Sequence, residues 1–463
     1  MRSPETDYTG AAERLRAQLS AVQPGDPVRL AKRTTNLFRD RDARPGLDVS
    51  GLAGVLSVDP SERTADVLGM TTYEELVDAV LPFGLMPLVV PQLKTITLGG
   101  AVTGLGIESS SFRNGLPHES VLEMDVLTGD GRLVTATPDG EHAALFHGFP
   151  NSYGTLGYAL RLRIELEPVQ PYVMLTHERH DDAASFLARL EQVSSTGTLD
   201  RTGNTDGADR VRADFVDGTV FSPGEHYLTV GTFVPDAPYT SDYTGQGIYY
   251  RSVQARRRDF LTVRDYLWRW DTDWFWCSRA LGLQNPLLRR MVPRRYKRSD
   301  VYMRLVSFER RHRVAARVDA RMGRPDREVI VQDVEVPVAR TAQFLEFFHR
   351  EIGIEPVWVC PLRQRDPDAR WPLYAFDPAT LYVNLGFWSS VPLRPGERDG
   401  DRNKMIESKV VELGGRKSLY STAYYDRDTF WASYDGGTYA VLKKTYDADA
   451  RLADLYDKTV RAS

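Results

Sequence analysis

The 463 residues exceed what one hydrophobic core usually organises, so the length of the chain predicts two domains. A formal net charge of −4 argues against a general nucleic-acid binder, and 42% hydrophobic with 26% charged residues is typical of a soluble globular protein. The two cysteines, Cys277 and Cys360, exclude a disulfide framework and a metal cluster, and they indicate small buried side chains in a reducing compartment. The N-terminus lacks the apolar core of a signal peptide, so we expect a cytoplasmic protein.

The part of the chain that precedes the first glycine-rich segment alternates helical and strand-like patterns. Its longest apolar stretch, residues 76–91, is broken by Asp78 and by prolines, and is too short to span a bilayer. Thr71 and Thr72 are candidate caps for a helix with carboxylates in its first turn. The predicted elements are a helix over 5–22, strands over 28–30, 54–58 and 64–68, a helix over 74–81 and a strand over 86–90.

Residues 95–111 are the most informative segment, because they contain Gly99, Gly100, Gly104 and Gly106 ahead of a run of serines. Glycine is tolerated where φ is positive or where a ligand approaches the backbone closely. Bared N–H groups with nearby hydroxyls suit a flat polar ring or a pyrophosphate. The alternative is a glycine-rich hairpin that binds no ligand.

A β-hairpin and a second glycine segment follow. Residues 121–127 and 132–135 read as two strands joined by the turn at Gly129–Gly131. The sequence Gly154-Thr155-Leu156-Gly157 then leads into an alternating strand over 159–166. Two glycine segments separated by a hairpin make a stronger pattern than a single Gly-x-Gly.

The second half of the chain begins after Pro168 and Pro171 and mixes strands with helices. This mixture predicts a second α+β domain, with residues 194–209 as an exposed loop. Residues 426–463 are predicted to be helical and to pack back on the first domain. The other predicted elements are strands over 172–176, 212–216, 227–233, 330–336, 356–361 and 381–386, and helices over 183–193 and 337–351.

The order of these segments resembles the FAD-binding domain of the vanillyl-alcohol oxidase (PCMH-type) superfamily. The resemblance implies an α+β fold with a two-part FAD-binding domain over 1–170, a substrate or cap domain over 171–425 and the helical tail over 426–463. In that superfamily the first glycine segment lies against the isoalloxazine and the later turn lies near the ADP half. The residues implied in FAD binding are Arg33, Thr34, Thr35, Thr97, Gly99, Gly100, Gly104, Gly106, Ile107, Ser109, Ser110, His118, Ser120, Gly154, Thr155 and Gly157.

Several segments resemble the 24-dehydrocholesterol reductase family within that superfamily. They are residues 106–111, 213–222, 247–250, 331–333, 356–361 and 430–439. Members use FAD and a nicotinamide donor to saturate an isolated carbon–carbon double bond in a lipid. We expect the protein to differ from the sterol enzymes in having no N-terminal membrane segment. It also differs in its aromatic and acidic run at 265–276, where they are rich in histidine.

The chain is more similar to actinobacterial relatives that make 10-methyl branched fatty acids such as tuberculostearic acid. The resemblance implies an NADPH-dependent reductase that converts a 10-methylene fatty acyl chain on a phospholipid, the product of a partner methyltransferase, into the 10-methyl form. The alternatives are side-chain reduction of a Δ24-sterol, oxidation of a sugar or alcohol by a flavin oxidase, and a lipid-binding protein without flavin.

The region before the glycine segment bears on how FAD is held. The wider superfamily has a Gly-Gly-His-Ser loop that often links to FAD covalently, whereas residues 31–39 lack it. Lys32, Arg33, Thr34 and Thr35 suit phosphate binding, although they also suit an ordinary basic loop. Without the linking histidine we expect noncovalent FAD.

Saturating an alkene needs a hydride, which reduced flavin supplies, and a proton. The candidate proton donors are Glu108, which is preferred because the glycine segment is expected to place it beside the flavin, Tyr250, Asp271 and Asp333. Buried side chains of these types are more often structural hydrogen-bond partners than catalysts. Lys443 is a candidate for stabilising the reduced flavin anion, or is a solvated helix lysine.

Two further clusters relate to a lipid substrate. Trp268, Trp270, Trp274 and Trp276 suit an acyl tunnel or ordinary core packing. Residues 285–298 combine six cations with apolar side chains, which indicates peripheral contact with the inner face of the cell membrane through 286–298, or a solvated basic loop.

Overall fold

Two main antiparallel sheets organise the chain, and each carries its own helices. We describe residues 4–23, 26, 28–32, 36–39, 46–200, 210–312, 317 and 321–461 of a computed structural model. The predicted phosphate-binding residues Arg33, Thr34 and Thr35 lie outside these ranges. Helices and sheets alternate along the chain, so the predicted α+β class is confirmed.

The first sheet has the strand order β1-β2-β6-β4-β5, and β3 also pairs with β6. Its strands are β1 Val55–Asp59, β2 Thr64–Leu68, β3 Leu85–Pro87, β4 Val121–Thr128, β5 Leu133–Ala136 and β6 Gly157–Pro168. The predicted hairpin is confirmed as β4 and β5, which pair from Met124 with Ala136 to Leu127 with Leu133. β6 is the long central strand, and residue 157 at its start belongs to the second glycine segment.

Helices cover the first sheet and bring the glycine segment to its edge. They are α1 Pro4–Ser20, α2 Tyr73–Val80, α3 Leu98–Thr103, α4 Ser111–Asn114 and α5 Ala143–Gly148. Thr72 caps α2 in a capping box with Glu75, and Leu76 and Val80 are buried. The predicted helices over 5–22 and 74–81 are thus confirmed as α1 and α2. The glycine segment itself begins a helix, α3, instead of forming a loop throughout.

Two predicted strands in this half are shorter than expected. Residues 28–30 contribute an isolated bridge between Leu30 and Leu47, and the strand over 86–90 is reduced to β3. Residues 88–90 are buried as their apolar pattern indicated. The carbonyl of Leu88 accepts hydrogen bonds from the side chains of Ser110 and Asn114, so side chains replace a strand ladder there.

The second sheet has the strand order β12-β7-β11-β10-β14-β15-β13-β16. Its strands are β7 Tyr172–His180, β10 Phe215–Ser222, β11 Glu225–Val234, β12 Arg258–Thr262, β13 Arg327–Pro337, β14 Val357–Leu362, β15 Tyr382–Pro392 and β16 Arg416–Lys417. Strand β8 Thr198–Asp200 lies inside the loop predicted over 194–209, and it pairs with β9 Arg210–Arg212, which follows that range. The strand predicted at 212–216 begins later, as β10.

One face of the second sheet is covered by α6 Ala183–Thr196, α11 Val338–Glu351 and α12 Asp401–Glu412. On β13, Ile330 and Val334 belong to the hydrophobic core on this face, and Gln332 donates a hydrogen bond to Asn403 of α12. Because side chains alternate along a strand, Asp333 and Glu335 point to the opposite face. That face meets the first sheet and the glycine segment.

Further helices lie between β11 and β13 along the chain. They are α7 Tyr249–Ala255, α8 Val263–Leu267, α9 Pro286–Met291 and α10 Ser299–His312, with 3₁₀ turns at Asp271–Asp273, Cys277–Leu281 and Arg294–Tyr296. The tail contains α13 Arg427–Ser433, α14 Gly436–Tyr446 and α15 Leu455–Thr459. It packs against the first sheet, where the amide of Asp130 donates to the carbonyl of Tyr446. Within the ranges given above, none of the helices combines the length and apolarity that a bilayer crossing needs.

Candidate active site

A cavity of about 580 Å³ lies where the glycine segment, the second sheet and the tail meet. This volume is in the range of cofactor and substrate sites. Its lining residues come from both sheets, from α3 and from α15. The predicted residues Thr97, Gly99, Gly100, Gly104, Gly106, Ile107 and Gly154 all line it.

The start of α3 presents bare backbone to the cavity. Thr97 caps the helix by accepting from the amide of Gly100, and the ammonium of Lys32 donates to the Thr97 hydroxyl at 2.8 Å. A Cβ on Gly100 would lie 2.7 Å from that hydroxyl oxygen, and one on Gly99 would lie 2.8 Å from the carbonyl oxygen of Gly69. None of the four glycines has a positive φ. Close packing therefore explains why these four positions are glycine. The left-handed backbone that the sequence analysis also allowed is not the reason.

Four cations line the cavity, namely Arg29, Lys32, Arg39 and Lys458, and we name the last three the cationic wall. The Lys458 ammonium donates to the carbonyl of Tyr153 at 2.8 Å, and the Arg39 guanidinium lies 4.8 Å from the centre of the Tyr153 ring. Burial, aided by Arg39 and Lys443, lowers the pKa of Lys458 to about 7. Burial thus disfavours the charged form of Lys458, and a bound anion such as a pyrophosphate would stabilise that form.

Aromatic side chains form a second wall, the aromatic wall, which consists of Phe38, Trp274, Phe275, Trp388 and Tyr420. Phe38 stacks on Trp274 with ring centres 5.4 Å apart, and Phe275 stacks on Trp388 at 4.3 Å. Trp274 and Phe275 have left-handed backbones with φ of 46° and 60°. Such conformations cost on the order of 1–3 kcal/mol each in ordinary residues and are concentrated at functional sites.

Gln92 is a buried amide that the sequence analysis missed. It lines the cavity with 4% of its surface exposed, and within the described part of the chain neither its Nε2 nor its Oε1 has a hydrogen-bond partner. Buried amides rarely lack partners, so this one suits a ligand that offers both a donor and an acceptor. A single glutamine after Pro91 carries no pattern that would have singled it out.

Asp333 places a carboxyl group at the cavity. The Asn384 side chain donates to its Oδ1 at 2.9 Å, and the Tyr420 hydroxyl donates to it while accepting from Trp388. Burial raises the pKa of Asp333 to about 6. A carboxyl group with that pKa can hold a proton and release it near neutral pH.

Glu335 lies on the same face of β13 as Asp333, away from the cavity lining. It accepts hydrogen bonds from the hydroxyl of Tyr374 and from that of Ser418. Burial and the neighbouring Asp333 raise the pKa of Glu335 to about 8. The pair therefore places two protonatable carboxyl groups side by side on one strand.

The other predicted catalytic side chains lie outside the lining. Glu108 accepts from Arg269 at 3.2 Å and from Ser109, behind the cavity wall. Tyr250 donates to Gln284 at 2.6 Å, and Asp271 accepts from the amide of Lys94 and the hydroxyl of Ser299.

Lys443 has a structural environment as well. Its ammonium donates to the carbonyls of Thr155 and Leu452 and pairs with Asp447 at 2.6 Å. Asp333 is therefore the one member of the predicted set that faces the cavity.

The remaining predicted cofactor residues support the site without lining it. Ser109 contacts Glu108, Ser110 donates to Leu88, Ser120 donates to Pro117 and Thr155 donates to Ser152. His118 packs against Trp371 with ring centres 4.5 Å apart, and burial lowers its pKa to about 3. Gly157 begins β6 with a φ of 152°.

All four tryptophans of the predicted cluster, Trp268, Trp270, Trp274 and Trp276, belong to the hydrophobic core. Of these four, Trp274 also lines the cavity.

Comparison with known proteins identifies the cofactor. Residues 13–137 match the family described as FAD binding domain. The chain is 24% identical over 451 residues to the Delta(24)-sterol reductase of Arabidopsis thaliana, covering 89% of this chain and 76% of that protein. It is 25% identical over 427 residues to that of Mus musculus, covering 89% and 77%. It is also 32% identical over 135 residues to cytokinin dehydrogenase 3 of Oryza sativa subsp. japonica, covering 29% and 25%.

The cavity residues fit FAD. The cationic wall and the bared start of α3 suit its pyrophosphate, and the Gln92 amide suits the polar edge of its ring system. The predicted FAD domain and the resemblance to sterol reductases are both supported by the comparisons. The chain carries an FAD-binding domain and is an FAD-dependent oxidoreductase with similarity to Delta(24)-sterol reductases over most of its length.

Proposed function

We propose that this protein reduces a carbon–carbon double bond in a lipid, using FAD and a nicotinamide donor. The observation that carries the proposal is the combination of walls in one cavity. A cationic wall that fits a dinucleotide meets the aromatic wall, and the buried carboxyl group of Asp333 lines the cavity beside Tyr420 of that wall. The aromatic wall suits an apolar substrate.

FAD, when bound and reduced, supplies the hydride to one carbon of the double bond. The carboxyl group of Asp333 holds the proton that the other carbon receives, and Asn384 fixes its orientation. The faces of Trp274 and Phe275 stabilise positive charge that develops on the substrate and exclude water from it. Asp333 is then ionised and recovers a proton from solvent, with Glu335 as the adjacent protonated group.

The preferred substrate is a 10-methylene fatty acyl group on a phospholipid, reduced with NADPH after a partner methyltransferase has made it. This choice is supported by the sequence resemblance to actinobacterial enzymes, by the aromatic wall and by the surface described in the next subsection. FAD is proposed to be noncovalent. A Δ24-sterol is the second candidate, favoured by the 24–25% identity to sterol reductases along 89% of the chain.

The test is a product assay with the purified FAD-bound protein and NADPH under nitrogen. One reaction contains vesicles with a 10-methylene octadecanoyl phospholipid, and the other contains a sterol with a side-chain double bond. Mass spectrometry should show two added hydrogens in the acyl chain and none in the sterol. The opposite result would make the sterol the substrate, and reduction of neither lipid would contradict the proposal.

A flavin oxidase is distinguished in the same experiment. If a sugar or alcohol reduces the enzyme, and the reduced enzyme then reacts rapidly with oxygen, the protein is an oxidase.

A further inference from the structure

An exposed apolar surface lies outside the cavity, on the segment that contains α9. Leu287 and Met291 have 76% and 78% of their surface exposed, and Leu281, Leu288 and Tyr296 are also exposed. These five residues fall within residues 281–296. Monomeric proteins seldom concentrate large exposed apolar side chains in one short segment without an interaction that uses them. We name residues 281–296 the apolar–basic face.

The six cations of residues 285–298, a range that overlaps the apolar–basic face, divide into two groups. Arg289 turns inward, donating to both carboxylate oxygens of Asp273 at 2.6 and 2.9 Å, and Lys297 donates to the carbonyl of Gly245. Arg298 pairs with Glu74 at 2.7 Å.

Arg290, Arg294 and Arg295 are exposed beside the apolar residues, and Arg294 also pairs with Asp242 at 2.9 Å while 68% of its side chain stays exposed. The sequence analysis treated all six cations as one surface, whereas the structure assigns three of them to holding the face in place.

Buried contacts connect the apolar–basic face to the cavity wall. Asp273, which binds Arg289, also accepts from Ser278 and is followed directly by Trp274 and Phe275 of the aromatic wall. Asp271, in the same 3₁₀ turn, accepts from the amide of Lys94. The face is therefore built on the turn that positions the substrate end of the cavity.

We propose that the apolar–basic face docks on a bilayer that contains anionic phospholipid. Its leucines and methionine would enter the acyl boundary and its three exposed arginines would contact headgroup phosphates. The positive charge that would attract anionic lipid belongs to this face, whereas the chain as a whole carries a formal net charge of −4. The inference goes beyond the proposed reaction and does not depend on which double bond is reduced.

The experiment is co-sedimentation of the purified full-length protein with vesicles. One set contains phosphatidylglycerol mixed with phosphatidylcholine and the other contains phosphatidylcholine alone. Binding should require phosphatidylglycerol and weaken with added salt. Leu287→Ser with Met291→Ser should lower the partition coefficient at least about tenfold. Arg290→Ser with Arg295→Ser should lower it roughly 25-fold, since each cation near the surface contributes about fivefold.

The matched control is Val441→Ser with Lys444→Ser, an exposed apolar–basic pair on α14. This variant should bind vesicles as the unchanged protein does, and all variants should keep their flavin absorption. Equal binding to both kinds of vesicle, or equal binding by all variants, would overturn the proposal. A dimer in sedimentation equilibrium that Leu287→Ser with Met291→Ser dissociates would also overturn it, because a second copy would then cover the face.

Discussion

The glycine segment and the two walls of the cavity are assembled in different ways. The glycine segment is a local motif, in which Thr97 caps α3 and accepts a hydrogen bond from Lys32. The cationic wall combines Lys32 with Lys458, and the aromatic wall combines Phe38 with Trp388, so both walls collect distant parts of the chain. The backbone at the cavity is thus specified locally, whereas its charges and its chemistry depend on tertiary packing. Substitutions in the two walls should therefore separate cofactor binding from chemistry.

The sharpest separation is expected at Asp333. Asp333→Asn should lower turnover per bound flavin by about 10²–10⁴-fold, because an amide cannot donate the proton, while FAD affinity stays nearly unchanged. Steady-state kinetics normalised to flavin absorption measures this effect.

Glu108→Gln is the matched comparison, since it removes a buried carboxylate beside Arg269. It should lower thermal stability more than turnover per flavin. If Glu108→Gln lowered turnover per flavin more than thermal stability, Glu108 would be the proton donor instead of Asp333.

The pH dependence of stability tests the carboxyl pair. The pKa of Glu335 is raised to about 8, so the folded chain binds that proton more tightly than the unfolded chain does. This contribution is complete below the unfolded pKa of about 4.5 and is lost as pH rises toward 8. Stability should therefore fall between pH 5 and 8 by on the order of a few kcal/mol from this group.

Glu335→Gln should flatten that fall, as measured by urea unfolding at a series of pH values. An unchanged slope in this variant would contradict the protonated carboxyl group.

Lys458 tests the cationic wall. Lys458→Met should weaken FAD binding about 10–100-fold, because hydrogen bonds to charged groups contribute roughly 1.5–3 kcal/mol. Titration of apoprotein with FAD, followed by flavin fluorescence, measures the change. Lys443→Met, whose ammonium contacts backbone carbonyls and Asp447, is the control and should change affinity less. Equal losses would assign Lys458 a structural role.

Gln92 should give the smallest effect. Gln92→Leu removes an amide that is buried without a protein partner in the described structure, so FAD affinity should fall only about 2–10-fold. The visible spectrum of the bound flavin should shift because its polar edge loses a contact. An unchanged spectrum and affinity would place the ring elsewhere in the cavity.

Local pattern predicted the glycine segment and its neighbours far better than either wall of the cavity. The glycine segment, the helix after Thr72 and the hairpin at 121–135 are specified by neighbouring residues, and the structure contains them. Alternation along 330–336 indicated that Asp333 shares a face with Glu335, but not what covers that face. Four acids therefore remained candidates.

Other residues were misjudged or missed because their environments are tertiary. The sequence singled out Lys443, whose ammonium contacts backbone carbonyls, and it offered no pattern for Lys458, which the structure places at the cavity. The left-handed backbones of Trp274 and Phe275 depend on the turn that Asp271 and Asp273 hold.

The absorption spectrum of the purified chain tests the central claim, that this cavity holds FAD. The account predicts one flavin per chain, visible on purification or after adding FAD, and released intact by acid because it is noncovalent. A colourless chain that added FAD cannot reconstitute would contradict the account.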